Sequence, residues 1–370
     1  MRWFKENAGW PFSCILQQGG ELVQEFASLC PTAVLNTGTW REVSRRRRIF
    51  NRIGLGQIGR SAYVRSLMRN QVPKPALIYC NTIAARTAFE FSRNDGSRVL
   101  CHVHELEFVF RAGVGLVDSS KVLAMADRFI ACSHAVAKNL ERHGVSEDRI
   151  DTIHEFIPTR DADDLKKDDN RRWLRERLKI PSDCLIVAGS GWPGWRKGSD
   201  LFVQAAKAVR ERRPDLNLHF LWLGSAPDLW RGHEFLHDVE LCKLTDYVTL
   251  IPAQPDPLRY YSGADIFLLT SREDPYPLVV LEAAACGVPT ICFDGAGGMP
   301  EFVENDCGNV VPYLDVRAMA SAVIQLADNP DQRASFGDRA YQKVRARHDI
   351  KVAAPMILTA MERTIKAKER

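Results

Sequence analysis

The chain has 370 residues, 45% apolar and 26% charged, with a formal net charge of +4. That length exceeds one ordinary core and suits two domains of a soluble protein. No run reaches the ~20 apolar residues of a membrane span, no apolar stretch follows the charges of "MRWFKENAGW" as in a signal peptide, and the ten cysteines are scattered with no CxxC. Buried, reduced thiols and a cytoplasmic location are therefore expected.

In the first half, strands are predicted at 12–17, 32–36, 76–80, 98–104, 128–133 and 150–156. Helical patterns fall between them, as in "GGELVQEFASLC" and "SHAVAKNLERHG", with Ser133 as N-cap and Gly144 as terminator of the second. A basic block, Arg45, Arg46, Arg47 and Arg48, reads either as a solvated face or as a patch for peripheral contact with anionic lipid or a charged acceptor. No nucleic-acid-binding motif accompanies it. "RIGLGQIG" at 52–59 contains G-x-G-x-x-G, but it follows arginines rather than a strand, which argues against a dinucleotide site.

The polar stretch 158–182 reads as an interdomain connection with one short helix. Beyond it, strands are predicted at 184–191, 217–224, 248–252, 266–271, 289–294 and 308–312. Helices are predicted at 199–213, 257–263, 277–286, 315–328 and 330–348, with a last one near the end. The expected organisation is a first domain at 1–157, a second at 183–345, and a terminal helix within 346–370 that can cross back to the first. Strands alternating with helices imply parallel α/β sheets, whose ligands sit beyond the carboxyl ends of the strands.

Three such strand ends carry chemistry. In "SREDPYPLVVLEAAACGVP" (271–289) a helix opens near Pro277, so the N–H groups of Leu278 and Val279 are free to meet an anion. Asp274 precedes that helix and Glu282 lies within it. Two carboxylates flanking a phosphate suit a ligand with hydroxyls on both sides, such as a nucleotide diphosphate sugar. The plain alternative makes Asp274 a helix-start acid and Glu282 a solvent-facing one, but Glu282 stands in an otherwise apolar run and needs partners or a cleft. In "AGSGWPGWRKGSDLF" (188–202) Gly191 and Gly198 bracket Arg196 and Lys197, two cations able to neutralise a leaving diphosphate; an exposed turn is the alternative. In "CHVHELEF" (101–108) His104 ends a strand and can face the cleft, whereas His102 is read as pointing the other way, into the core.

These segments resemble the retaining glycosyltransferases of family 4, which have the GT-B fold: two Rossmann-like, doubly wound domains facing a cleft. The family's E-x7-E signature is matched by Asp274-x7-Glu282, or by Glu273 if the first acid has slipped. Its lysine–glycine pair is matched by Lys197-Gly198, with Arg196 in place of an arginine that would fall on Trp192. "GAGGMPEFVE" (295–304) and His104 match two further motifs. The resemblance implies a UDP- or GDP-sugar donor, a glycan or lipid-linked acceptor in cell-surface polysaccharide synthesis, transfer with retention, and no metal or other cofactor. It implies catalytic roles for His104 and Asp274, the latter on sugar hydroxyls. Gly191, Arg196, Lys197, Gly198, Glu273, Leu278, Val279 and Glu282 would bind the donor, with Glu282 on the ribose and the base near 250–254. The family's first strand and glycine loop are expected to be missing: "MRWFKENAGW" reads as the tail of the following helix and "FSCILQ" as the second strand. A start assigned too late is the favoured explanation, and a non-catalytic nucleotide-sugar-binding or scaffold protein is the alternative function.

Overall fold

A computed structural model describes residues 1–34, 75–84, 96–162, 165, 167–225 and 230–367. The arginine block at 45–48 and the glycine stretch at 52–59 lie outside these residues. The first unit runs α1 (Arg2–Asn7), β1 (Cys14–Leu16), α2 (Val23–Leu29), β2 (Thr32–Val34), β3 (Leu77–Cys80), β4 (Arg98–Val103), α3 (Leu116–Met125), β5 (Arg128–Ala131), α4 (His134–Arg142) and β6 (Ile150–Thr152). The second opens with α5 (Lys167–Leu178), β7 (Leu185–Ser190), α6 (Ser199–Arg212), β8 (Leu218–Leu223), α7 (Trp230–Leu241), β9 (Val248–Ile251) and α8 (Pro257–Gly263). It continues with β10 (Ile266–Leu269), α9 (Leu278–Ala285), β11 (Thr290–Phe293), α10 (Met299–Val303), β12 (Gly308–Val311), α11 (Val316–Asp328), α12 (Pro330–Arg347) and α13 (Ile350–Lys366).

Every strand pair among the described residues is parallel. The second sheet has the order β12-β11-β10-β7-β8-β9. Its central strands are apolar on both faces, as burial between helix layers requires; all six residues of β8 are buried. The order reverses between β7 and β10, so the loops after these strands diverge and leave a crevice at their carboxyl ends. Ser133 caps α4 by accepting from the Val136 N–H at 3.1 Å.

The opening of the chain follows the strand–helix–strand order read from the sequence. β1 is followed by Gly19 and Gly20, then α2, then β2, which pairs with β1 in parallel, Cys14 opposite Thr32. The strand at 12–17, the helical pattern after it and the strand at 32–36 are thus each present. A parallel neighbour can be reached only through a crossover, and the two glycines supply the turn into it. Among the described residues β1 and β2 form a sheet of their own beside the four-stranded β3-β4-β5-β6. α1 is a separate short helix whose Phe4 packs beneath the last helix.

The polar stretch 158–182 is more than a connection. α5 lies against α8, anchored by the buried Arg175, which donates to Cys184 O (2.9 Å), Gly263 O (3.0 Å) and Asp265 Oδ2 (2.7 Å). Asp265 also accepts from the Ile186 N–H at 2.8 Å and from Arg171. At the far end the chain crosses back beside Ile157, whose N–H donates to His348 O at 2.9 Å. α13 then covers one face of the first sheet, where Ala353, Ile357 and Ala360 close over Leu100, Ile130 and Ile153.

Replacing Asp265 by alanine strands the buried Arg175 guanidinium. We expect unfolding in urea to show a loss of about 3–5 kcal/mol. A loss below about 1 kcal/mol, the scale of a surface pair, would show that the anchor is dispensable.

Candidate active site

The crevice at the β7/β10 reversal is built from two loops. After β7, Gly198 takes a left-handed φ of +65°, and a Cβ there would meet Thr270 O at 2.0 Å. Only glycine lets this loop lie directly on the end of β10 while starting α6. Arg272, which sequence reasoning passed over, clamps the loop. Its backbone N–H donates to Arg196 O at 2.8 Å, and its guanidinium donates to Trp195 O at 2.9 Å and to both oxygens of Asp200 at 2.8 and 2.6 Å.

The two cations of this loop end up in different states. Lys197 Nζ donates to Asp274 Oδ2 at 2.6 Å, and the same oxygen accepts from Ser271 Oγ at 3.0 Å. Arg196 is half-buried, and its guanidinium has no hydrogen-bond partner among the described residues. Asp274, expected on sugar hydroxyls, is only 6% exposed and serves as the seat of Lys197. Its N–H donates to Ala296 O at 2.7 Å, and a Cβ on Gly297 would meet its carbonyl at 1.7 Å. The "GAGG" turn therefore has to be glycine to let this acid sit down. Glu273 faces across the cleft, where both its oxygens accept from the Phe108 N–H, at 3.2 and 3.0 Å.

Pro277 is the cap of α9 rather than its first residue. The first helical bond runs from the Val280 N–H to Pro277 O at 3.2 Å, and the N–H groups of Leu278 and Val279 have no partner among the described residues. Glu282 is half-buried with no hydrogen-bond partner there either. Burial alone raises its carboxyl pKa. Its charge reaches Tyr261, whose hydroxyl donates to Ser190 Oγ at 2.8 Å, which puts Glu282 beside the end of β7. Residues 250–254, expected near the base, lie at the end of the edge strand β9, where Tyr260 donates to Gln254 Oε1 at 3.2 Å.

On the opposite wall, His104 follows β4. Its Nδ1 contacts Glu155 Oε1, and its Nε2 lies 3.0 Å from Asn81 Oδ1. His102 does not point away from it. Residues two apart on a strand share a face, and the two rings are 4.1 Å apart between centroids. His102 is buried, which lowers its pKa, and its Nδ1 lies 2.6 Å from the Tyr79 hydroxyl. Two groups, His102 with His104 and Glu155, and His134 with His154 and Glu301, bring metal-ligating atoms within 4.8 Å. No such cluster was visible in the sequence, because the acids stand far along the chain from their histidines.

Glu301, in the "GAGGMPEFVE" motif, crosses the cleft. It accepts from the N–H groups of His134 and Ala135 at the tip of α4, each at 3.0 Å, and from His154 Nε2 at 2.8 Å. Burial pushes its carboxyl pKa up, but these donors outweigh it and hold the pKa below the usual value. The structure thus gathers Arg196, Lys197, Gly198, Glu273, Asp274, Leu278, Val279 and Glu282 around one crevice, with Gly191 at its rim and His104 on the facing domain.

An unpaired, half-buried carboxylate costs stability as it ionises. With the folded-state pKa raised, the folded form holds its proton to higher pH, and stability falls as pH rises from the ordinary carboxyl range through the raised value. Glu282→Gln should raise the ligand-free melting midpoint at pH 7.5, with the gain vanishing toward pH 4. A gain equal at both pH values would show that Glu282 is not desolvated.

Residues 16–161 match the family model described as Glycosyltransferase Family 4, and residues 182–329 match the model described as Glycosyl transferases group 1. The D-inositol 3-phosphate glycosyltransferase of Paenarthrobacter aurescens is 29% identical over 222 residues, 59% of this chain and 53% of the relative. The GDP-mannose-dependent alpha-(1-6)-phosphatidylinositol monomannoside mannosyltransferase of Mycolicibacterium smegmatis is 31% identical over 194 residues, half of each chain. The chain spans about half the length of the curated relatives it matches. Among solved structures, Anabaena HepE in complex with UDP-glucose superposes with a TM-score of 0.78 at 17% identity, covering 95% of this chain and 99% of that one. Sucrose-phosphate synthase from Thermosynechococcus elongatus gives 0.78 at 22% identity, covering 98% and 91%. With a glycosyltransferase family model matching each half and these structures superposing over nearly the whole chain, the chain belongs to the glycosyltransferases of family 4 type, with the GT-B fold.

Proposed function

We propose that the protein transfers a sugar, with retention, from a UDP- or GDP-sugar to a glycan or lipid-linked acceptor of cell-surface polysaccharide synthesis, at the inner face of the membrane. The observation that carries this reading is the tip of α9, where the N–H groups of Leu278 and Val279 have no partner among the described residues, while Glu282 in the same helix and Arg196 on the loop after β7 also have no hydrogen-bond partner there. Anions favour such a tip, and a carboxylate prefers hydroxyl donors. A diphosphate at the tip, with its ribose diol on Glu282, satisfies all four groups. HepE has been crystallised with UDP and with UDP-glucose, and one sequence relative is GDP-mannose-dependent by name. That divergence leaves the base open.

In the reaction, negative charge grows on the diphosphate as the glycosidic bond lengthens. Arg196, Lys197 and the N–H groups of Leu278 and Val279 meet that charge, a contribution usually among the largest in catalysis. Lys197 needs no reorganisation, because Asp274 and Ser271 already hold it in place. His104 contacts the donor sugar from the opposite domain. The helices contain no segment long and apolar enough to cross a membrane among the described residues. The alternative is a non-catalytic nucleotide-sugar-binding or scaffold protein, and turnover of donor in the presence of acceptor separates the two.

Calorimetry with a panel of UDP- and GDP-sugars should find one donor class bound, and NMR of the transfer product should show the donor's anomeric configuration. Glu282→Ala should weaken donor binding at least about tenfold, the loss of a charged hydrogen-bonding partner. Unchanged affinity would remove the ribose assignment. Lys197→Ala should lower kcat by ~10²–10³ with a smaller effect on donor affinity. An equal effect on both would make it a binding residue only.

A further inference from the structure

His102 poses a problem that the transferase reading does not use. The side chain is 3% exposed, its Nδ1 is engaged by the Tyr79 hydroxyl, and its Nε2 is buried with no hydrogen-bond partner among the described residues. Leaving a buried polar nitrogen unmade costs roughly 1–3 kcal/mol. Beside it stand His104 and Glu155, and one ligating atom from each of the three lies within 4.8 Å of the others.

We infer that His102, His104 and Glu155 form a binding site for a divalent transition-metal ion of the zinc class. Two imidazoles and a carboxylate are a donor set that zinc accepts, and three protein ligands leave a position open to water. The outer contacts suit the purpose. A ligating histidine is held by a partner on its other ring nitrogen. His102 has Tyr79 at Nδ1, which leaves Nε2 for the ion. His104 has Asn81 at Nε2, which leaves Nδ1 for the ion on the side where Glu155 already touches it. Burial keeps His102 neutral, the form in which a ring nitrogen has a lone pair to give. His104 and Glu155 are partly exposed, so an ion can enter from the cleft. A bound ion would fix the His104 ring while leaving its Nε2 edge toward Asn81. The inference concerns residues of the first domain alone; because it engages the His104 ring that the donor reading places on the sugar, a bound ion would hold that ring away from the donor and slow transfer.

The test uses the whole chain stripped with a chelator, in the absence of any sugar nucleotide, so failure of one reading leaves the other untouched. Zinc is titrated by calorimetry, and cobalt(II) by its visible absorption. A false signal has an obvious source: His233 and His237 are exposed and four apart on α7, a spacing that puts both on one helical face. The titration is therefore run on the His233→Gln/His237→Gln protein. We expect one equivalent of zinc to bind, and Glu155→Gln or His102→Gln in that background to weaken it at least tenfold, with Tyr79→Phe weakening it less. Far-UV circular dichroism and melting confirm that each variant is folded. Should His102→Gln not fold, Glu155→Gln, on the partly exposed side, decides the matter alone. No uptake once His233 and His237 are replaced, or equal uptake by the Glu155→Gln protein, would overturn the inference.

Discussion

The pairing of Lys197 with Asp274 is the contact on which the crevice depends. It joins the loop after β7 to the loop after β10, the two strands between which the sheet reverses direction. Each loop leaves its strand toward a different helix, and the Arg272 clamp holds the same two loops together from the other side. The pair is largely buried, so removing one partner leaves a charge without compensation, which is costlier than breaking a surface pair. Backbone fit surrounds it: Gly198 is pressed on Thr270 and Gly297 on Asp274, where no side chain could fit. The cation is thus fixed before any ligand arrives, and the neighbouring Arg196 and Glu282 are left unsatisfied. Order in one half of the site and unmet demand in the other is what a preorganised anion site requires.

The acids near this crevice have similar chemistry and unlike tasks, assigned by their surroundings. Asp274 is a counter-ion, Glu282 is desolvated and unpaired, and Glu273 reaches the other domain. Glu301 does the same on α10, with three donors from the first domain converging on it. Carboxylates of the second domain therefore meet backbone N–H groups of the first at two places. Such charge-assisted bonds are directional, so they set the angle of the cleft more sharply than apolar packing would.

Much of this was legible in the sequence because the second sheet is buried on both faces. Runs such as "NLHFLWLG" and "IFLLTS" leave no choice but strand, and the helices between them are bounded by proline, glycine and capping residues. The acid and lysine–glycine positions were legible by spacing. Partners were not: nothing in the order of residues says that Lys197 reaches Asp274, or that Glu155 closes on His104, because those contacts are made by the packing of distant loops. The opening strands and the helix between them were legible despite their brevity, α2 having only seven residues and β1 only three. α5 was anticipated only as a short helix within a connection, because only Asn170, Leu174 and Arg175 turn inward, two of them polar. α7 was missed for a similar reason, with only Gly232, Phe235 and Val239 buried. The mistake over His102 was one of geometry, since alternation along a strand puts it on the face of His104.

The return of α13 to the first sheet has a consequence for how the protein is made. The apolar face formed by Leu100, Ile130 and Ile153 is complete by residue 153, yet the residues that cover it begin at Ala353. A ribosome adding ~5–20 residues per second takes roughly 10–40 s to span that interval. Through that time the nascent first domain carries a greasy, uncovered flank, so chaperones have a natural client here, and the two domains mature as a pair rather than in series.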